Sequence, residues 1–387
     1  MTQSITRPVA TTVGRRGIAL PAAIMALVLL SALVAGALYV STEELRAGRG
    51  DLASERALAA AESALERAVV SWDAQRNTSW LVGTSAIVER WSAGSGDRAE
   101  VTATRVGSRT VWLTSTATSG ADGRTIPARH TIAASLHLAA PRAPLAAALT
   151  TAGKVTIRDA TVDGRDTSAG GVPPAVCVED PNTDVAGLLV PDALLACGVS
   201  CTGGVPAGVT GSPAVAVDAG LTRAAAPSPG ADAPATLARR ADLVLAAGTY
   251  VPRPAVAGDG CNVEDPFNWG DPGGGMCGNF FRIVHVRGDA VLGTGAVAQG
   301  VLVLDGTLRV EAGARFVGVV VAANGIEVVG AGASITGVVF TADADATGES
   351  LVADGGEVRF SSCAVRRTAL GVARLTRTSG RWWAELR

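Results

Sequence analysis

Six cysteines are the residues of this sequence with the clearest capacity for covalent chemistry. They all lie beyond residue 170, at Cys177, Cys197, Cys201, Cys261, Cys277 and Cys363. An even number confined to one part of a chain is typical of disulfides formed in an oxidising compartment. The alternative is a zinc site, because Cys197 and Cys201 are separated by three residues, but His130, His137 and His285 do not form the ligand-spaced pair that would complete it. The pattern therefore favours disulfides, with their connectivity left open.

An acidic loop surrounds one pair of these cysteines. Between Gly258 and Cys277 the chain carries several side-chain oxygens, including those of Asp259, Asp265 and Asp271. Oxygen ligands of this kind suit calcium, yet their spacing does not match that of an EF-hand. We therefore interpret the segment as a solvated loop closed by a Cys261–Cys277 disulfide. The sequence predicts no metal site and no cofactor.

Residues arranged for catalysis are not apparent in the sequence. No Ser-His-Asp order, phosphate-binding glycine loop or metal-spaced histidine pair occurs. Asp305, in a stretch of few acidic residues, aligns with Asn324 at the corner of an internal repeat, which indicates a role in a turn. A formal charge of −2, from 33 basic and 35 acidic residues, gives no reason to expect nucleic-acid binding. We expect a protein that is not an enzyme.

The N-terminal segment determines compartment and topology. Residues 18–40 contain no charge and as a helix would span about 34 Å, enough to cross the hydrocarbon core of a bilayer. Arg7, Arg15 and Arg16 precede this run, and the first acidic residue is Glu43. The positive-inside rule therefore places the N-terminus in the cytoplasm and the rest of the chain outside. A cleavable signal peptide and a plain signal anchor are the two alternatives.

The junction Arg15-Arg16-Gly17-Ile18, a basic pair and a glycine followed at once by the apolar run, resembles the leader junction of type IV pilins and pseudopilins. In that family a prepilin peptidase cuts after the glycine and methylates the new N-terminal residue. The resemblance implies that Gly17 ends the leader and that Ile18 begins the mature chain. It also implies, as partners, the inner membrane, the peptidase and other pilin subunits, which pack together through their N-terminal helices.

Two further segments narrow the resemblance. The stretch 41–48, Ser-Thr-Glu-Glu-Leu-Arg-Ala-Gly, precedes Arg-Ala-Leu-Ala-Ala-Ala-Glu-Ser-Ala-Leu at 56–65. Their order and spacing are similar to those of PilX-type minor pilins over about residues 14–70. Major pilins usually carry glutamate at the fifth mature position, whereas Ala22 stands there in this chain. PilX-type minor pilins and tip pseudopilins also lack that glutamate, so its absence is compatible with a priming or tip role.

Patterning beyond the membrane segment predicts an α+β protein. The helical pattern continues to residue 72, with Leu45, Leu52, Leu58, Leu65 and Val69 on one apolar face beside alanines. Strands are predicted at 99–106, 110–118 and 125–138, as an antiparallel pilin-like sheet. Valine-rich segments with glycines that recur at an almost constant step then predict a short β-helix, or solenoid. Its markers are Gly288, Gly306 and Gly325; Gly295, Gly313 and Gly332; and Gly300, Gly318 and Gly337.

These elements divide the chain into a cytoplasmic leader (1–17), a pilin helix (18–72), a pilin-like sheet (73–140) and a solenoid (141–387). The solenoid is interrupted by a cysteine-rich insertion at about 165–281, and residues 153–164 fit its repeat. The aromatic pair at 382–383 is expected either to form an exposed contact or to cap the last solenoid turn. Together with these elements, the resemblance implies a minor pilin-like structural subunit that reaches the pilus or cell surface. A membrane-anchored adhesin outside any pilus is the alternative, and a polysaccharide-acting β-helix enzyme is less favoured.

Overall fold

A computed structural model describes residues 19–93, 96–120, 127–142, 145–167, 183–196, 201–202, 205–228, 234–342, 349–377 and 383–385. Its longest element is helix α1 (Ala19–Val70), which runs without interruption for 52 residues. At about 1.5 Å per residue, a helix of this length extends for about 78 Å. Four short helices follow: α2 (Arg76–Ser79), α3 (Ala193–Ala196), α4 (Pro234–Arg239) and α5 (Ser362–Gly371).

An antiparallel sheet packs against the second half of α1. Its strands are β1 (Ser85–Ser92), β2 (Arg98–Gly107), β3 (Thr110–Ser119), β4 (Ala128–Ala139), β24 (Arg374–Arg377) and β25 (Trp383–Glu385). The strands follow in the order β1-β2-β3-β4-β24. Strand β25 also pairs with β4, further along the edge that β24 occupies. Strict alternation buries one face, so that Val101, Ala103, Val111 and Leu113 form the core under the helix. The three predicted strands of this sheet are confirmed, with small differences at their ends.

A second, larger sheet curls around its own core, and every pairing between its described strands is parallel. Its strands in chain order are β5 (Ala147–Thr151), β6 (Lys154–Arg158), β7 (Thr161–Asp163), β8 (Ala186–Val190), β11 (Val209–Thr210), β12 (Val215–Val217), β13 (Leu243–Tyr250), β16 (Arg282–Leu292), β17 (Val297–Leu304), β18 (Thr307–Val310), β19 (Arg315–Ala322), β20 (Gly325–Val329), β21 (Ser334–Thr341), β22 (Glu349–Ala353) and β23 (Glu357–Phe360). Two small hairpins lie outside it, formed by β9 (Cys201–Thr202) with β10 (Val205–Pro206) and by β14 (Val256–Ala257) with β15 (Gly260–Cys261).

The curl follows from strands that bend and pair with two different neighbours. The first half of β16 pairs with β17, and its second half pairs with β18. Further along, β17 pairs with β19 and β18 with β20, so each turn of the chain lies on the previous one. Val297 lies opposite Arg315, which in turn lies opposite Ser334, so successive turns are of almost equal length. This is the repeat that the glycine markers predicted.

The curled sheet is inserted between two neighbouring strands of the antiparallel sheet. The chain leaves β4 at residue 139 and returns in β24, where Arg374 pairs with Ala139. Both ends of the insertion lie at the pair formed by Ala139 and Arg374. The first strand of the insertion, β5, accordingly pairs with β21 inside the stack and not at either of its ends. Strands β5 to β8 with β11 and β12 build one part of the stack, and β13 with β16 to β23 builds the other. The two parts meet where β21, β22 and β23 pair with β5, β6 and β7. Strands β6 and β7, which lie in the segment 153–164 that the sequence matched to the repeat, therefore pair in parallel with β22 and β23.

Glycines at 300, 318 and 337 lie in one column of this stack and have φ values of +129°, +140° and +138°. A Cβ on Gly318 would lie 2.0 Å from the carbonyl oxygen of Gly300, and one on Gly337 would lie 1.9 Å from that of Gly318. Only a residue without a side chain fits such a column. At another corner the sequence aligned Gly325 with Gly306, which was wrong by one residue, because Gly325 lies opposite Thr307. The hydrogen-bonded ladder between β18 and β20 sets this register, and the identity of the glycines does not.

The C-terminal strands were not anticipated. From the sequence, residues 141–387 are expected to form the solenoid, with the terminal tryptophans either exposed or capping its last turn. In the structure Trp383 pairs with Ala134 of β4 and packs, half-buried, against the core under α1. Trp382 lies outside the described residues. Both expectations for Trp383 were wrong, because an unpaired edge of β4 lies where the chain returns from the insertion.

We predict that Gly318→Ala destabilises the protein by at least about 3 kcal/mol, since it combines backbone strain with a clash against a rigid carbonyl. The matched control is Gly258→Ala, where φ is +58° but an added Cβ would meet no atom within 4 Å. That variant carries the left-handed strain alone and should lose about 1 kcal/mol. Urea unfolding followed by near-UV circular dichroism measures both, and equal losses would contradict the role of the column.

Candidate functional site: the uncovered half of the N-terminal helix

The first half of α1 is apolar and covered by nothing in the described part of the chain. Large side chains there are exposed on every side of the helix, including Leu20, Leu27, Leu33 and Tyr39, each at least 67% exposed. Among the described residues, α1 is also the one helix long and apolar enough to cross a membrane, and none of its most apolar window is buried. A helix that is apolar all round is stable only inside a membrane or another protein assembly. The site is therefore a surface that requires a non-aqueous partner.

The second half of α1 is attached to the antiparallel sheet through small residues. Its buried positions are Ala53, Ala57, Ala60, Ala61, Ala64, Leu65 and Ala68. Six alanines among seven positions allow the helix backbone to lie close to the strands, and Ser115 Oγ of β3 donates to the Ala61 carbonyl at 2.8 Å. The apolar face predicted from residue 45 onward is partly wrong. Leu45 and Leu52 are exposed by 62% and 47%, because the sheet ends short of them.

Polar contacts fix the helix on the sheet at the edges of this alanine face. Ser54 Oγ lies 2.6 Å from His130 Nε2 of β4, and Arg67 Nε lies 3.4 Å from Glu89 Oε1 of β1. Glu66 pairs with Arg377 in β24, so a residue near the C-terminus also holds the helix. Exposed pairs of this kind contribute little energy each, and their effect is to set the orientation of the helix.

A buried asparagine in α2 joins the segment that follows α1 to the end of helix α5. The Asn77 side chain donates from Nδ2 to the carbonyls of Leu370 and Ala373 at 3.1 and 2.9 Å. Its Oδ1 accepts a hydrogen bond from Trp72 Nε1 at 2.8 Å. The residue is only 1% exposed, so leaving its amide unpaired would be costly. Asn77 thus couples the segment after α1 to the end of α5.

The processing residues predicted at the start of the mature chain, Gly17 and Ile18, lie outside the described residues. Ala22 is described and is exposed on the first turns of α1. No acidic residue stands in the first turn of this helix. Ala22, at the position where the resemblance implied no glutamate, is therefore part of the apolar surface formed by the uncovered half of α1.

The cysteines form disulfides where the structure describes them. Cys261 and Cys277 are bonded, as the sequence analysis proposed, with their Cα atoms 4.8 Å apart. Cys363, at the start of α5, is also disulfide-bonded. Cys177, Cys197 and the side chain of Cys201 lie outside the described residues. Sequence separation alone identified the first pair, because one short acidic loop joins its members.

The acidic loop uses its side-chain oxygens to hold its own backbone. Asp271 accepts from the backbone N–H groups of Gly273 and Gly275 at 2.8 and 3.0 Å, and Asp265 accepts from that of Phe267 at 2.8 Å. These are turn-stabilising contacts, which compete with metal coordination for the same oxygens. Within the described residues, no group of three or more His, Cys, Asp or Glu side chains is placed to hold a metal ion.

The titratable groups that the fold perturbs have structural partners. Burial lowers the pKa of Arg105, whose guanidinium donates to the carbonyls of Asn77, Gly107 and Ser108. Burial also lowers the pKa of Arg282, which donates to backbone carbonyls of the acidic loop. Each of these guanidiniums donates to backbone oxygens that neighbour it in the fold.

Asp305 stands at a corner of the curled sheet, between the ends of β17 and β18. Its Oδ1 lies 3.0 Å from His285 Nε2 of the neighbouring turn. The prediction that Asp305 belongs to a turn is therefore confirmed.

Asp163 of β7 has the most perturbed carboxyl group. Desolvation alone would raise its pKa, but hydrogen bonds from Arg165 and from Thr210 Oγ1, at 2.7 Å, outweigh burial and lower the pKa to about 2. A carboxyl whose pKa is depressed in the folded state stabilises the fold above its ordinary value of 3.8, and that stability is lost as the pH falls through about 2. The group links β7 to the next turn of the stack.

We therefore predict that Asp163→Asn lowers stability at pH 6 and that the difference from the wild type shrinks as the pH falls from 4 towards 2. Thr210→Val, which keeps the carboxylate and removes one of its donors, should show a smaller version of the same effect. Urea midpoints at several pH values measure this, and a gap that stays constant down to pH 2 would contradict it.

Comparisons with known proteins add little to this geometry. No protein-family model matches the chain, and no curated protein matches it. Among solved structures it is similar to the competence-associated pilin ComZ from Thermus thermophilus, at 14% sequence identity and a TM-score of 0.21, over 89% of this chain and 97% of that chain. A likeness at this level carries no argument about fold or function. The function proposed below is therefore argued from the residues and contacts of this chain.

We predict that Ala61→Leu destabilises the attachment of α1 by about 1–3 kcal/mol, because the added volume has no space between the helix and β3. The matched control is Ala59→Leu, two residues away on the exposed side of the same helix, which should change stability by less than about 0.5 kcal/mol. Thermal unfolding in detergent compares the two, and equal effects would show that the alanine face is not the contact.

Proposed function

We propose that the chain is a pilin-like structural subunit of type IV pilus assembly, of the PilX-like minor class. A prepilin peptidase would cut it after Gly17, and the helix from Ile18 onward would first span the inner membrane and then pack among the helices of other pilin subunits. No catalysis by this chain forms part of the proposal. The observation that carries it is one continuous helix whose first half is uncovered and apolar and whose second half is fixed to an antiparallel sheet.

The length of the uncovered segment supports subunit packing over simple anchoring. A bilayer core requires about 20 helical residues, whereas no part of the described chain covers α1 before Ala53. Residues 41–52 therefore extend beyond the membrane as bare helix, with Leu45 and Leu52 exposed. A plain anchor gains nothing from such a projection. A filament subunit does, since neighbouring helices would bury both leucines.

The curled sheet is the part that the subunit would present outside the cell. We interpret it as a short β-solenoid, because successive turns stack in parallel at an almost constant repeat and bury a continuous valine-rich core. Its insertion between β4 and β24 leaves α1 and the antiparallel sheet free to occupy a filament. Ala22, at the fifth mature position, supports a priming or tip position, since a subunit with no neighbour ahead of it needs no glutamate there.

The same geometry also suits a surface adhesin that stays anchored in the membrane, with the curled sheet as its binding domain. The two functions differ at the leader junction and in the final location of the chain. An adhesin of that kind would keep the leader and remain in the membrane fraction, whereas a pilin subunit would lose the leader and appear in sheared filaments.

We predict that the mature chain begins at a methylated Ile18 when a prepilin peptidase is present and at Met1 when it is absent. Gly17→Ala should abolish cleavage and the appearance of the protein in sheared filaments. Gly36→Ala is the matched control, because this glycine also lies in the apolar segment and a Cβ there meets no atom within 4 Å. Intact-mass analysis and immunoblots of the sheared fraction measure both effects.

Cleavage that requires the peptidase, is lost in Gly17→Ala and is kept in Gly36→Ala would support the pilin class. An uncut chain confined to the membrane would favour the anchored adhesin. Cleavage near residues 35–37 would contradict both, because it would release the domain as a secreted protein.

A further inference from the structure

The stack of parallel strands ends at β13 with an open edge. One side of β13 pairs with β16, and no strand among the described residues pairs with its other side. The inward-facing Leu243 and Leu245 contact the core but remain half-exposed, because no further turn covers them. This end of the core is therefore only partly closed.

The residues of this edge do not protect it from pairing. Natural proteins block exposed edges with charged residues, prolines or short strands. The segment 243–251 is Leu-Val-Leu-Ala-Ala-Gly-Thr-Tyr-Val and contains neither a charge nor a proline. By comparison, the edge strand β1 of the antiparallel sheet carries the charged residues Glu89 and Arg90. An unprotected edge of eight residues in a folded domain indicates that another strand covers it.

Exposed apolar side chains surround the same end. Val244 and Val251, at the two ends of the edge, are 46% and 48% exposed. Phe267 of the acidic loop is 53% exposed, and its carbonyl accepts from the backbone N–H of Arg253 at 3.0 Å, which places it beside this edge. Clustered apolar exposure of this kind marks an interaction surface.

The edge is complementary to itself. It bends at Ala247, where the pairing with β16 shifts register between Ala246 and Gly248. A two-fold axis through this corner would pair the edges of two copies antiparallel, with residue 247 of one opposite residue 248 of the other. In that register Asp242, just before the strand, lies opposite Arg253 of the second copy. Opposite charges at both ends of an uncharged strand favour this register and no shifted one.

The opposite end of the stack does not offer an equivalent partner. It ends in β12, which has three residues and is followed by Asp218, and helix α3 packs beside it. An eight-residue edge cannot be matched by a three-residue strand. A head-to-tail arrangement is therefore disfavoured, whereas the pairing of β13 with itself is closed and leaves no further edge at that end.

We infer that β13 is a dimerisation edge at which a second copy of this chain adds its own β13 in antiparallel register, joining two curled sheets end to end. The dimer buries Leu243, Leu245 and Val251 of both copies and pairs Asp242 with Arg253 across the interface. The inference rests on the geometry of this edge and not on the function proposed above.

The test uses the full chain in detergent micelles and measures its mass by light scattering coupled to size exclusion. Ala247→Lys places two lysines beside the two-fold axis, and the exposed Ala247 side chain leaves room for them in the single subunit. The protein mass should halve relative to the wild type. Leu194→Lys is the matched control, since Leu194 is 78% exposed at the opposite end of the stack, and it should leave the mass unchanged.

A second variant keeps the test independent of any folding defect. Ala247→Cys should form a disulfide-linked dimer under mild oxidation, whereas Leu194→Cys should not. A monomeric wild type, or a dimer that survives Ala247→Lys, would overturn the proposal, the second result by locating association elsewhere, such as on α1. Loss of the dimer in Leu194→Lys would also overturn it, since both ends would then be involved.

Discussion

One helix in this protein must satisfy two different environments, and the rest of the structure depends on that constraint. Over its first half α1 exposes large apolar side chains in every direction, whereas over its second half it buries six alanines against a sheet. Large side chains gain most by leaving water altogether, and small ones allow a backbone to approach its partner closely. The change from leucine and valine to alanine near residue 53 therefore separates the part of the helix that needs an external partner from the part that the chain itself covers.

The antiparallel sheet packs against the second half of α1, and the curled sheet is inserted between two strands of that sheet. The insertion begins and ends at adjacent residues, Ala139 and Arg374, so the pairing of β4 with β24 closes the sheet around it. Beyond that point the two cores are separate, one under α1 and the other inside the stack. The pair of Glu66 with Arg377 then ties the helix to β24, and Asn77 of α2 donates to the carbonyl of Ala373 just before that strand. The curled sheet is thus inserted without interrupting the antiparallel sheet on which α1 packs.

Local sequence patterns predicted the long helix and several strands of this fold, but they did not predict which strands pair across long stretches of sequence. The charge-free run, the alternation in β2 and β3 and the column of Gly300, Gly318 and Gly337 each have a direct physical meaning that a single sequence reveals. Strand β1 was missed, because Glu89, Arg90 and a bulge obscure its alternation. Strands β24 and β25 were missed because their partner, β4, lies on the other side of the whole insertion. The sequence identified the uncovered helix as the candidate site, but only contacts show that its free surface extends to Leu52.

The central claim is that the uncovered half of α1 is buried by the helices of other subunits. A photoreactive amino acid at Leu27, 67% exposed in the single chain, tests it most directly, with the same group at Val70, 86% exposed at the end of the helix, as the control. In sheared filaments, light should crosslink position 27 to the N-terminal helix of another pilin subunit, and position 70 should yield no such adduct. Adducts to lipid alone at position 27, with no chain recovered in filaments, would contradict the account and leave α1 as a simple membrane anchor.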